Sequence, residues 1–362
     1  MSISTDHGNN GKSFEDSLLS VVISFYNEAD ALPELIRRLR DVLDSQCEQR
    51  RLGSYELIFV NDDSTDRSEA ILREAAKGRD DIRIITMSRN FGVSECVLAG
   101  MEYSSGDAVV YMDADLQDPP EVIPELIRSW QDGDDIDVVN TVRDAREGES
   151  AVKLLITRIG YKILRSVAEI DLTIESGDFK LLSRRAVDEL LRLKERKPFI
   201  RGMISWIGFK QACVHYHRQA RFSGETKFRI YSRRVIRNFL DSALISFSDI
   251  PLKLALVLGG FVAILSFVFL VYVIVQKFVL RYTTPGWSAI MASMLFLGGV
   301  QLMTIGVLGL YVGSIFFEVK GRPNYIVEST FGFRSDLEGK TDSALHSGSP
   351  PRHSRLDHDR SR

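Results

Sequence analysis

The chain has 362 residues, and its 46 Lys and Arg against 49 Asp and Glu give a formal net charge of −3. This balance excludes a strongly basic nucleic-acid-binding protein, because such domains carry a clear excess of Lys and Arg. Hydrophobic residues make up 44% of the chain, which is enough to build a core and excludes a wholly disordered protein.

The first two hundred residues alternate between two kinds of segment. Residues 1–18 are mostly polar and are predicted to be a flexible N-terminus. Short β-branched runs then alternate with longer amphipathic stretches. The predicted strands are 19–25, 55–60, 82–87, 108–112 and 136–142, and the predicted helices are 30–43, 67–76, 93–103 and 120–130. This order predicts an α/β domain over 19–230, with a parallel sheet covered by helices on both faces.

The C-terminal part predicts contact with a membrane. Residues 231–250 carry apolar residues at helical spacing with arginines on the other side, which indicates an amphipathic interfacial helix; a surface helix of the domain is the alternative. Residues 254–276 and 282–317 hold no charged residue, and each run is long enough to cross a bilayer. We therefore predict two transmembrane helices within 251–318, a cytosolic segment over 319–334 and a disordered tail over 335–362. Two buried core helices are the alternative.

The charged flanks predict the orientation of this hairpin. Lys and Arg residues lie before the first apolar run and after the second, whereas the short loop between them carries only Lys277 and Arg281. Cytoplasmic loops carry the excess of Lys and Arg, so both long flanks are expected in the cytosol. The three cysteines share no metal or redox spacing, and we interpret them as packing residues.

Acidic residues follow three of the predicted strands, at the edge of a parallel sheet where ligands bind. Asp62 and Asp63 follow the second strand, and Asp113 and Asp115 follow the fourth. No glycine-rich phosphate-binding loop follows any strand. Carboxylates repel phosphates unless a divalent cation lies between them, and Mg²⁺ or Mn²⁺ prefers oxygen ligands. Pairs of this form also occur on ordinary surfaces, but their position at strand ends favours a metal site.

Several motifs together resemble a known family. VVISFYNE, FVNDDSTD, SRNFG and MDADLQDPP resemble family 2 glycosyltransferases, and GDFKLLSRRAV, ERKPFIRGMISWIGF, RFSGETKF and EVKGRPNYIVE resemble its polyprenyl-phosphate branch. That branch includes bacterial undecaprenyl-phosphate glucosyltransferases and, more distantly, dolichol-phosphate mannose synthases. The resemblance covers about residues 19 to 330. It implies a Rossmann-like nucleotide-sugar-binding domain of the GT-A type and a location in the bacterial inner membrane.

The resemblance also implies roles for particular residues. The implied donor-binding residues are Ser24, Tyr26, Asn27, Glu28, Asp62, Asp63 and Asp113. The implied metal ligands are Asp113, Asp115 and Gln117, and the implied catalytic residues are Asp178 and Asp115. The implied acceptor-phosphate ligands are Arg143, Arg158, Lys162, Arg201 and Lys227.

Each of these roles has a structural alternative. Asp178 could pair with a nearby Arg or Lys, and Asp63 and Asp66 could cap a helix. Arg143, Arg158 and Lys162 could lie on solvated faces. Lys162 stands where relatives carry a hydroxyl residue, and Lys227 could close a loop over the site. Asp118 is expected to shape the turn before two prolines.

The predicted activity is transfer of one sugar, with inversion, from a nucleotide sugar to polyprenyl phosphate. Glucose from UDP-glucose is the first choice, while aminoarabinose derivatives, N-acetylated hexosamines and mannose remain open. The expected partners are the UDP-sugar, the polyprenyl phosphate and the bilayer, with no nucleic acid and with a homo-oligomer possible. One alternative is a processive polysaccharide synthase, but the chain lacks the Gln-x-x-Arg-Trp motif of those enzymes. The other is a non-catalytic membrane scaffold.

Overall fold

The computed structural model describes residues 14–133, 135–143, 176–196, 198–217 and 286–333, with scattered positions between 257 and 275. Its centre is a sheet of eight strands in the order β7-β5-β6-β4-β1-β2-β3-β8. The strands are β1 (Leu18–Phe25), β2 (Ser54–Asn61), β3 (Ile82–Met87), β4 (Ala108–Asp113), β5 (Val138–Arg143), β6 (Ser176–Ser183), β7 (Gln211–Tyr216) and β8 (Val327–Phe331).

The sheet is mixed, whereas the sequence predicted a parallel one. Strands β1, β2, β3 and β4 run parallel to one another, as predicted. Strand β6 runs antiparallel to both β4 and β5, and β8 runs antiparallel to β3. The alternating pattern predicted strands only as far as residue 142, and both reversed strands, β6 and β8, come later in the chain.

Helices cover both faces of this sheet, as predicted. The described helices are α1 (Leu32–Glu48), α2 (Ser68–Ala75), α3 (Val93–Tyr103), α4 (Ile123–Asp132), α5 (Arg184–Arg192), α6 (Ile200–Trp206) and α7 (Trp287–Val319). The leucine and isoleucine residues of α1 recur at helical spacing, and all of them are buried against one face. Helix α3 packs on the other face so closely that a Cβ atom on Gly100 would overlap Val22 Cγ1. Only glycine allows this approach.

Several predicted boundaries move by a few residues. The described residues begin with a 3₁₀ turn at Phe14–Asp16, where the Phe14 ring packs edge-on against Trp130, so the last residues of the predicted flexible segment contact the folded domain. The predicted helix at 120–130 is a 3₁₀ turn (Pro120–Val122) followed by α4. Strand β5 ends with Arg143, which was predicted to follow the strand.

One helix among the described residues is long and apolar enough to cross a membrane. It is the stretch Phe296–Phe316 within α7, which has a mean hydropathy of 1.7 and is not buried inside the protein. The first predicted span is described only at scattered helical positions, and the predicted interfacial helix at 231–250 lies outside the described residues. The hairpin therefore remains a prediction.

The chain returns to the sheet directly after α7, which the sequence did not predict. Strand β8 adds to the free edge of β3. Two backbone groups of the domain bind the residues before β8. The Arg196 N–H donates to Glu318 Oε1 near the end of α7 at 3.0 Å, and the Ser88 N–H donates to the Ile326 carbonyl at 3.0 Å. The Asn324 side chain also donates to the Glu195 carbonyl at 2.6 Å. The segment after the apolar helix is thus part of the α/β domain.

Candidate active site

The loops after β1 and β2 are joined by hydrogen bonds at the carboxyl edge of the sheet. The Asn27 backbone N–H donates to Ser64 Oγ at 3.0 Å, and Asn27 Oδ1 accepts from the Thr65 N–H at 2.8 Å. Asn27 has a φ of 54° and Asp63 a φ of 62°, so both loops turn through the left-handed region that most side chains avoid. The predicted donor-binding residues of these loops therefore lie side by side.

The loop after β4 adds the predicted metal ligands. Ser24 Oγ donates to Asp113 Oδ1 at 3.1 Å, which links β1 to the end of β4. Asp115 Oδ1 accepts from the Gln117 backbone N–H at 3.1 Å, across the left-handed turn at Leu116 (φ 58°). A buried leucine in this conformation costs on the order of 1 kcal/mol, so the surrounding fold holds the turn in place.

Asp178 lies beside this acidic loop because of the antiparallel register between β4 and β6. Tyr111 is paired with Lys180, and the same register continued by two residues sets Asp113 opposite Asp178. Arg201, at the start of α6, holds Asp178 with two hydrogen bonds: Nε to Oδ1 at 2.6 Å and Nη2 to Oδ2 at 2.5 Å. The structure thus joins the predicted catalytic carboxylate to a predicted acceptor-phosphate ligand as an ion pair, which is the arrangement that the structural alternative for Asp178 described.

The clustered carboxylates repel one another. Burial and, after it, the charges of Asp178, Asp115 and Asp118 together raise the pKa of Asp113 to about 7, against a smaller opposing effect of the Ser24 hydrogen bond. A divalent cation would relieve this repulsion, so the donor set fits a hard metal ion. Across the described ranges, no three His, Cys, Asp or Glu side chains are grouped to hold a metal by themselves. Two carboxylates therefore need further oxygen ligands, such as the Gln117 amide, water or a bound diphosphate.

Asp62 connects β2 to the loop before α3. It is 6% exposed, and its two oxygens accept the backbone N–H groups of Phe91 at 2.7 Å and Gly92 at 3.0 Å. Its donor-binding role stays a prediction, but the structure shows that Asp62 also fixes the SRNFG loop. Among the other donor candidates, Tyr26 is exposed at the same edge and Glu28 follows it, half-buried.

Two further acidic residues support the local structure. Asp66 accepts hydrogen bonds from the backbone N–H groups of Ala29 at 3.2 Å and Ser68 at 2.9 Å, so it joins the loop after β1 to the first residue of α2, although the N-cap position itself is Arg67 and not Asp66. Asp118 is buried and accepts a hydrogen bond from the Tyr216 hydroxyl. This contact joins the turn after β4 to the distant strand β7.

The basic candidates are only partly described. Arg143 ends β5 opposite Tyr216 of β7, at the same edge of the sheet as the acidic loops. Arg158, Lys162 and Lys227 lie outside the described residues. Of the five predicted acceptor-phosphate ligands, Arg201 is the one whose contact with the acidic cluster is seen.

Sequence reasoning missed several polar residues near the site. Lys180 and Asn140 are buried in the sheet below Asp178, and Glu95 lies half-buried at the start of α3. The signal available for Lys180 was its position two residues after Asp178 in a strand, which puts both side chains on one face. Nothing comparable pointed to Glu95.

Glu95 provides a test of the charges around Asp62. Burial, with a smaller contribution from the nearby Asp62 charge, raises the pKa of Glu95 to about 7. A raised carboxyl pKa stabilises the fold below the unfolded value near 4.5, and this contribution is lost as the pH rises through 7. We expect Glu95→Gln to leave the melting temperature nearly unchanged at pH 4.5 and to stabilise the protein by on the order of 2 kcal/mol at pH 8.

Thermal unfolding of both proteins at the two pH values measures this effect. The exposed Glu74→Gln on α2 is the matched control. An equal shift at both pH values would contradict the assignment of the charge penalty to Glu95.

Comparisons with known proteins agree with the motifs. Residues 20–191 match the family model described as glycosyl transferase family 2. The chain is 41% identical over 316 residues to the uncharacterized glycosyltransferase YkcC of Bacillus subtilis (strain 168), covering 87% of this chain and 95% of that one. It is 35% identical over 312 residues to the SfII prophage-derived bactoprenol glucosyl transferase of Shigella flexneri, covering 86% of this chain and 98% of that one.

One solved structure is similar to part of this chain, at a lower sequence identity. Glucosyl-3-phosphoglycerate synthase from Mycobacterium tuberculosis, crystallised with Mn²⁺, UDP and phosphoglyceric acid, is 21% identical, with a TM-score of 0.42 over 63% of this chain and 78% of that one. The motifs, the family model and the full-length relatives agree, and the resemblance predicted from the sequence is confirmed: the chain belongs to glycosyltransferase family 2.

Proposed function

We propose that this protein is a membrane-bound transferase that moves a single sugar from a nucleotide sugar onto polyprenyl phosphate. The proposed substrates are UDP-glucose and undecaprenyl phosphate. The observation that carries the proposal is the meeting of Asp113 with the Asp178–Arg201 pair at the carboxyl edge of the sheet. Relatives named bactoprenol glucosyl transferase support the choice of sugar and of lipid.

The chemistry is a single displacement. A phosphate oxygen of the acceptor attacks the anomeric carbon of the sugar, the new carbon–oxygen bond forms, and the bond to the nucleoside diphosphate breaks on the opposite side. The acceptor phosphate is already ionised at neutral pH, so it needs little proton removal. Asp178 then serves to orient the acceptor and to stabilise positive charge that develops at the anomeric carbon, while Arg201 offers a planar fork that suits phosphate oxygens.

The acidic loop after β4 takes the donor diphosphate. Asp113, Asp115 and Gln117 are the residues that would hold Mg²⁺ or Mn²⁺. When bound, this ion offsets the negative charge that builds on the departing diphosphate. The hydrogen bond from Ser24 and the turn at Leu116 hold the two carboxylates at the end of β4.

A transfer assay tests the proposal directly. Purified protein in nanodiscs is given undecaprenyl phosphate and a panel of radiolabelled nucleotide sugars, and lipid products are separated by chromatography. We expect one sugar per lipid, with UDP-glucose the best donor. A polymeric product would favour a processive synthase, and the absence of transfer with every donor would favour the scaffold. A better donor than UDP-glucose would correct the sugar but keep the reaction.

The proposed location is the cytosolic face of the bacterial inner membrane, and the native cysteines allow a test. Cys213 is exposed on β7, while Cys96 is buried and Cys47 half-buried. In intact cells, a membrane-impermeant thiol reagent should leave Cys213 unlabelled, and permeabilisation should expose it. In a Cys213→Ser background, Gly286→Cys, in the predicted loop between the spans, should be labelled without permeabilisation. The reverse labelling of the two sites would contradict the orientation.

A further inference from the structure

A buried lysine lies in the sheet below the ion pair. Lys180 is 3% exposed and follows Asp178 by two residues on β6, so both side chains are on the same face. Its Nζ donates to Asn140 Oδ1 at 2.5 Å, and Asn140 Nδ2 donates to Gln211 Oε1 at 2.7 Å. Tyr111 of β4 is paired with Lys180 on the side away from Asn140. A row of polar side chains therefore crosses strands β7, β5, β6 and β4 below the site.

A charge at this depth needs compensation. Desolvation of an ammonium group in a protein interior is costly unless an opposite charge is near, and an amide oxygen alone supplies only part of it. Burial and the neighbouring Arg201 lower the pKa of Lys180 to about 7, while the charge of Asp178 acts in the opposite direction. Asp178 is therefore a negative group near enough to offset part of this cost.

Asp178 in turn lies between opposing charges. Asp113 is opposite it in the sheet and repels it, whereas Arg201 binds both of its oxygens. If Arg201 shifts towards the phosphate of an acceptor, Lys180 is the cation that stays, because it is fixed in the sheet by Asn140.

We propose that Lys180 is a positioning residue: the protonated form of its buried amine places a positive charge behind Asp178 and keeps that carboxylate in place beside Asp113 during the reaction. This inference rests on the proposed function. Lys180 touches neither sugar nor phosphate, and it acts through Asp178.

Two substitutions separate the charge from the hydrogen bond. Lys180→Gln removes the charge but keeps a donor for Asn140, and Lys180→Arg keeps the charge. We expect Lys180→Gln to lower kcat by roughly 10- to 100-fold, the scale expected when a buried charged group loses its neighbour. The KM for the nucleotide sugar should stay within about twofold, because the loops of β1 and β2 are unaffected. Lys180→Arg should recover a clear part of the lost kcat.

A double-mutant cycle shows whether Lys180 acts through Asp178. In an Asp178→Asn background, we expect Lys180→Gln to have less than about a twofold further effect on kcat, because residues that act as a unit are not additive. Multiplicative losses would overturn the inference. So would a lower melting temperature for Lys180→Gln with an unchanged kcat per folded molecule, which is the result of a purely structural role.

The controls keep the outcomes distinct. Thr141→Val removes a buried hydroxyl that donates to the Phe179 carbonyl on the neighbouring strand, and it should change stability without changing kcat. If Lys180→Gln does not fold, Lys180→Met, which replaces the charge with an apolar chain of similar length, takes its place. Absence of transfer by the wild-type protein would contradict the proposed function, whereas normal wild-type transfer with an unaffected Lys180 variant would contradict this inference alone.

Discussion

Asp115→Asn should lower the rate of sugar transfer by about 100-fold or more. The substitution keeps the size of the side chain and its acceptor for the Gln117 N–H, but it removes one of the two charges that we propose to hold the metal. Radiolabelled transfer at saturating donor and acceptor measures the effect. The exposed Asp132→Asn on α4 is a matched control and should leave the rate unchanged.

Removal of the metal should have the same consequence. EDTA treatment of the wild-type protein, with metal content checked afterwards, should abolish transfer, and Mg²⁺ or Mn²⁺ should restore it. In Asp115→Asn, a much higher metal concentration should be needed for the remaining activity. Full activity of the metal-free protein would remove the cation from the mechanism, and a normal rate for Asp115→Asn would remove that residue from the metal site.

Asp178→Asn should cause the second large loss, again by about 100-fold or more in kcat. The amide keeps the shape of the carboxylate but cannot balance the charge of Arg201 or stabilise positive charge at the anomeric carbon. Donor affinity, measured by calorimetric titration with UDP, should change much less than kcat, because the predicted base- and ribose-binding residues lie on the loops of β1 and β2, whereas Asp178 lies opposite the end of β4.

The melting temperatures of the variants distinguish a catalytic role of Asp178 from a purely structural one. If the Asp178–Arg201 pair only stabilises the fold, both Asp178→Asn and Arg201→Gln should lower the melting temperature while the folded protein keeps its rate. The half-buried Arg184→Gln, whose side chain donates to the Gly106 carbonyl and Ser104 Oγ away from the site, controls for the loss of a structural arginine.

The acidic half of the site could be predicted because it depends on local order in the chain. Four parallel strands place their carboxyl ends at one edge, so acidic residues that follow β2 and β4 must converge there. Their positions follow from recognising those strands alone. The spacing of the apolar residues in α1 was equally local, and the helix begins and ends within a few residues of its predicted limits.

The other half depends on contacts between distant segments. The pairing of Asp178 with Arg201 requires β6 to run against β4, and no strand was predicted from the sequence over residues 176–183. Asp62 accepts hydrogen bonds from the amides of Phe91 and Gly92, which lie 29 and 30 residues later in the chain, and so joins two separate loops. No spacing rule in the sequence marks either contact.

Strand β8 has a consequence for the order in which the protein is made. The ribosome must synthesise the long apolar helix α7 before it reaches residues 327–331, so the eighth strand cannot join β3 until that helix has emerged. Until then β3 keeps an open edge that can pair with other chains. The sheet can therefore be completed only after α7 has been translated. Newly made copies acquire their complete α/β domain after the helix that would anchor them in a membrane.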